Sequence, residues 1–118
     1  MNKRQITFKL LANKAKYLAV HIVALHQDLT LNHKEFYLSQ KLIENGTIIG
    51  EKITEMSSLP SKEAILQHIS QVLDYLHKTH YWLNLLFESG RVNEPDYELV
   101  NQELAQLEQI IQENFTIT

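Results

Sequence analysis

His77 and His80 stand three residues apart, the separation that puts two imidazoles on one face of a helix, where a transition metal could be ligated. A third ligand is missing nearby: His68 is nine residues before His77, and His21, His26 and His33 lie in the first third of the chain. Carboxylate-bridged di-metal bundles need Glu-x-x-His so that both ligands project inward, and no glutamate here has a histidine three residues on. Histidines that pack or hydrogen-bond explain the same residues, so a metal or small-molecule site in the bundle is a distant reading and no cofactor is expected. Hydrolytic chemistry fares no better. Ser39 and Ser70 belong to helical patterns rather than to a strained strand-to-helix turn. Gly46 and Gly50 fall inside a helical pattern, so they do not form a loop that cradles phosphate ahead of a helix. The chain has no cysteine, which removes disulfides, thiolate ligands and a cysteine nucleophile. No catalytic residue and no metal ligand is assigned, and an enzyme is not expected.

Charge is the other chemical resource. Residues 1–59 carry eight Lys/Arg against five Asp/Glu, and residues 60–118 carry three against nine. Lys3, Arg4, Lys9, Lys14 and Lys16 precede any acid, whereas Glu94, Asp96, Glu98, Glu103, Glu108 and Glu113 follow the last arginine. The basic start could contact the phosphates of a structured RNA, with affinity that falls as salt rises. Alternatively, Lys3, Arg4 and Lys9 could complement Glu108 and Glu113, within a protomer or between protomers, for about 0–1 kcal/mol per exposed pair. The net charge of −3 favours the second use.

The elements that must position these groups are helices. Leu11, Ala15, Leu18, Ile22, Leu25 and Leu29 recur at steps of four and three. The rhythm returns in Ser39, Leu42, Gly46, Ile49, Ile53 and Met56, then in Ile65, Ile69, Val72, Leu76, Thr79, Leu83 and Leu86. It appears last in Tyr97, Val100, Leu104, Leu107 and Ile111. Asn45-Gly46 resembles a hairpin turn, but two-residue alternation is absent around it and the helical rhythm runs through. The breaks carry helix chemistry. Asn32 is the expected cap of the second helix with Glu35 three residues on, and Ser61 caps the third. Gly90 ends the third, and Asn93 caps the fourth ahead of Pro95. Short connections predict an all-α, antiparallel up-down-up-down four-helix bundle, with residues 1–118 forming one domain.

Two further features ask for partners. Glycine costs a helix interior roughly 0.5–1 kcal/mol relative to alanine, so Gly46 and Gly50 in one helix predict close approach of another backbone. The apolar faces are also wide. Helix one adds Leu10, Tyr17, Val20 and Val23, and helix three adds Leu66, Leu73, Tyr75, Trp82 and Phe87. These residues either thicken one core or bury a second face against another copy of the chain. No apolar run reaches the roughly 18–20 residues that span a bilayer, and no secretory signal is read at the N-terminus, so the expected setting is cytoplasmic, with no membrane partner.

Ser39, Leu42, Gly46, Thr47, Ile49, Gly50, Ile53 and Glu55 resemble the second helix of the bacterial four-helix-bundle family of 23S rRNA-intervening sequence proteins. Thr79, Tyr81, Trp82, Leu83, Leu85 and Leu86 resemble the end of that family's third helix. The resemblance implies a homopentamer around a central channel, with Gly46, Gly50, Tyr81 and Trp82 in helix packing or the oligomer seam. It implies no enzymatic activity. A related group, strongly basic, serves as nucleic-acid-binding accessory subunits of the reverse transcriptases of diversity-generating retroelements. Where the family has Ala-Asn this chain has Glu51-Lys52, and where it has two glutamates on helix three this chain has Tyr75 and Lys78. Those departures suggest a rewired contact between Glu55 and Lys78, and they leave open whether the pentamer is kept. The expected role is a non-enzymatic, self-associating interaction or scaffold protein, with binding of structured RNA as the alternative.

Overall fold

The computed structural model describes residues 2–115. Four helices follow in order: α1 (Lys3–Asn32), α2 (Tyr37–Glu55), α3 (Lys62–Glu88) and α4 (Glu94–Asn114), with one 3-10 turn, Met56–Ser58, extending α2. They form an antiparallel bundle in which α1 packs on α2 and α4, and α3 packs on the same two helices. The chain measures 45 × 23 × 21 Å, the long axis being that of α1. Among the described residues no helix is long and apolar enough to cross a membrane.

Every apolar stripe read from the sequence faces inward. Leu11, Leu18, Ile22, Leu29, Leu42, Ile49, Ile69, Leu83, Leu86 and Leu107 are wholly buried, and Val100, Leu104 and Ile111 bring α4 onto them. α2 lies closer to its neighbours than α4 does, and the small residues Ser39, Gly46 and Gly50 lie along it. The Asn45-Gly46 pair lies within α2 and makes no hairpin. Among the described residues two polar side chains are wholly buried, and each bonds the carbonyl four residues before it: Ser39 Oγ donates to Glu35 O at 2.9 Å and Thr79 Oγ1 to Tyr75 O at 2.7 Å. Neither hydroxyl is left unpaired.

Three of the four predicted boundary devices stand. Ser61 Oγ accepts from Ala64 N at 3.1 Å and Asn93 Oδ1 from Asp96 N at 2.9 Å. Gly90 takes φ 79°, with Gly90 N donating to Phe87 O at 3.0 Å and Arg91 N to Leu86 O at 2.9 Å, so the last carbonyls of α3 are satisfied. The start of α2 differs. Asn32 is the last residue of α1 and donates its amide to Asp28 Oδ1 at 2.6 Å. Lys34, at φ 55°, reverses the chain, and the Glu35 carboxylate caps α2 by accepting from Leu38 N at 3.0 Å and Ser39 N at 2.7 Å. A carboxylate on the first free amides of a helix also complements the positive end of its dipole, which a neutral asparagine would not.

Candidate functional site

Four of the six histidines, His21, His33, His68 and His77, stand beside carboxylates. His77 Nε2 lies 2.7 Å from Glu108 Oε1, while His80 Nδ1 is 3.5 Å from the Asn84 amide. The two rings that share a face thus have separate partners. His21 Nδ1 stands 2.8 Å from both oxygens of Glu103, tying α1 to α4. His33 is 3.5 Å from Asp28, and His68 Nε2 is 3.2 Å from Glu55 Oε2. The last approach lacks hydrogen-bond alignment, so the buried Nε2 has an electrostatic neighbour without a proper acceptor. Among the described residues no three His, Asp or Glu side chains gather closely enough to hold a metal ion.

The ion pairs of the described residues all join a carboxylate to a histidine. Within the protomer, the expected complement of Lys3, Arg4 and Lys9 by Glu108 and Glu113 is therefore replaced: Glu108 takes His77, and Glu113 accepts from Gln109 at 2.8 Å. The predicted pair of Glu55 with Lys78 does not form either. Antiparallel packing sets the end of α2 beside the start of α3, where His68 meets Glu55, while Lys78, three turns further on, lies over the Tyr75 ring at 5.3 Å.

Nor do the basic residues form one surface. Lys9 and Lys16, seven apart, share a side of α1. Lys14 points toward α4, its Nζ 3.3 Å from Gln106 Oε1. Lys3 and Arg4 instead meet Lys62 of α3 around a cavity at the end of the bundle. Lys62 was not legible as a member of this cluster, because only the fold brings it beside Lys3 and Arg4, 59 and 58 positions earlier.

The two glycines divide in role. A Cβ on Gly46 would overlap Ile22 Cδ1, so the glycine makes room for a side chain rather than for a backbone. At Gly50 the backbone of α1 does approach: Ala15 C and O would lie 4.0 Å from a Cβ placed there. Trp82 is half-buried and meets Tyr81 and Tyr37 edge-on, at 5.0 and 6.4 Å between centroids, whereas Tyr81 itself is exposed.

The second apolar faces separate as well. On α3, Leu66, Leu73, Tyr75, Trp82 and Phe87 are half-buried, so there the core is thickened. On α1, Leu10, Tyr17, Val20 and Val23 are exposed by 44, 62, 55 and 38%. Three of them belong to a longer register of Ile6, Leu10, Asn13, Tyr17, Val20, Ala24, Gln27 and Leu31, stepping by four and three. All eight positions are exposed. This row lies away from the core stripe and repeats at the spacing of a helix-packing seam.

No family model matches the chain, and no curated protein matches it significantly. Among solved structures, the fold is similar to that of a protein with unknown function from the S23 ribosomal protein family of Bacteroides thetaiotaomicron. The TM-score is 0.89 at 25% identity, over 94% of this chain and 99% of that one.

Proposed function

We propose that this chain is a non-enzymatic, cytoplasmic interaction module of the 23S rRNA-intervening sequence protein family, and that it works as a homo-oligomer, a pentamer by that resemblance. The observation that carries the reading is the exposed heptad row on α1. Its span from Ile6 to Leu31 is about 37 Å at 1.5 Å per residue, and a helix is about 10 Å wide. That strip covers about 400 Å² (roughly half the 800 Å² per partner of a standard stable interface). Leu99 of α4, exposed by 43%, shares a surface depression with Ala24 of the row, so the seam extends onto a second helix. In a closed ring the interface is heterologous, so the strip meets a different face of one neighbour and each protomer is held by two contacts. The likeness to an S23-family structure over almost the whole of both chains supports the family reading.

Sedimentation of the intact chain across a concentration range tests assembly, with a species near five times 13.8 kDa expected. The alternative, recognition of structured RNA, has less support because the five basic side chains of α1 point to different sides of the helix. It retains Lys9 and Lys16, whose shared side would meet phosphates. Binding that falls linearly with salt on a log–log plot and is lost in Lys9→Gln/Lys16→Gln would favour it.

A further inference from the structure

We propose that the cavity at the end of the bundle where α1 and α3 begin binds a small amphipathic anion, a phosphate or carboxylate head on a short apolar tail. The cavity has a volume of about 310 Å³, which suits one small molecule rather than a polymer. Lys3, Arg4 and Lys62 reach it from two helices, and among the described residues no carboxylate lines it. Of the acids closest in sequence, Glu113 is held by Gln109 and Glu63 stays outside the lining. The remaining polar groups are already committed. Thr7 Oγ1 donates to Lys3 O at 3.1 Å, and Asn114 Nδ2 to Ile110 O at 2.8 Å. The charged donors are the three cations, and an acceptor of negative charge answers them most strongly.

The helix dipoles do not decide the matter. α1 and α3 present their positive ends here, but α2 and α4 end at the same place, so the contributions oppose one another. The field comes from the side chains. The wall gives the second half of the specificity: Ile65, Leu66 and Phe115 are apolar, and Phe115 is fixed by stacking on Phe8 at 6.1 Å and 7°. A bare anion would leave that wall unused, and a neutral apolar molecule would leave three cations unanswered. This site is independent of the α1 seam.

Calorimetric titration of the intact protein with hexyl phosphate and with hexanoate tests the proposal, with inorganic phosphate and 1-hexanol as half-ligands. One hexyl anion per protomer is expected, binding at least tenfold more tightly than either half-ligand, and the tighter of the two identifies the head group. Lys62→Gln, an exposed change at the first turn of α3, should weaken it at least tenfold without shifting the melting temperature of the free protein. Arg4→Gln should do the same. Absence of binding by both hexyl anions would overturn the proposal. So would affinity no better than that of inorganic phosphate, or affinity unchanged in both variants.

Discussion

Across the seam between α1 and α2, Gly50 faces Ala15 so closely that a methyl placed on the glycine would lie 3.6 Å from the methyl of the alanine. That is ordinary van der Waals contact, so the site is small without being full. Gly50→Ala should stabilise the protein by about 0.5–1 kcal/mol through helix propensity alone. Gly46→Leu should instead lower the melting temperature by several degrees or prevent folding, because Ile22 already occupies the space. Denaturant unfolding of the two variants checks the contrast, and equal effects would contradict it.

The cap on α2 gives a second prediction. Glu35→Ala frees the amides of Leu38 and Ser39 and should cost about 1 kcal/mol, whereas Asn32→Ala should cost less because its amide serves only an exposed contact with Asp28. Chemical denaturation ranks them, and a larger loss in Asn32→Ala would reverse the assignment.

His21 and Glu103 form the ion pair between α1 and α4, beside the Lys14–Gln106 contact, with Glu103 16% exposed and His21 36%. Part-exposure limits the pair to about 1 kcal/mol, so a double-mutant cycle with alanine should return a coupling of about 0.5–1 kcal/mol. A coupling of zero would mean that the contact is ornamental.

Trp82 is the sole tryptophan, and its fluorescence reports one environment. Trp82→Ala should destabilise by about 2 kcal/mol, below the cost of emptying a full core site because the ring is half-buried. Tyr37→Ala should leave the fold nearly unchanged while shifting the tryptophan emission to the red, since Tyr37 covers one edge of the ring. An unshifted spectrum would show that Tyr37 does not shield it.

The four helices were legible because their inward residues repeat at steps of three and four, a signal carried by side-chain type alone. Ser61, Gly90 and Asn93 were legible because each acts on its own neighbours in sequence. Glu35 was assigned the wrong half of its role: a capping box and a side-chain cap use the same residues, and only the backbone at Lys34 decides where the helix begins. The Glu55–His68 contact and the meeting of Lys62 with Lys3 and Arg4 depend on which turns of antiparallel helices stand opposite, a register that composition does not encode. The outer row of α1 was partly visible in Leu10, Tyr17 and Val20. Whether such residues face the core or leave it is decided by the neighbouring helix, which is why the wide faces of α1 and α3 read alike in sequence and differ in the fold.

Native mass spectrometry of the intact protein beside Val20→Glu decides whether α1 carries a seam for another copy of the chain. Val20 is 55% exposed in the protomer, so a glutamate there leaves the bundle intact while placing an unpaired charge in the seam. An assembly of five protomers is expected for the natural chain, and a folded, fully helical monomer for the variant. A natural chain that stays monomeric at tens of micromolar, or a variant that assembles as before, would contradict it.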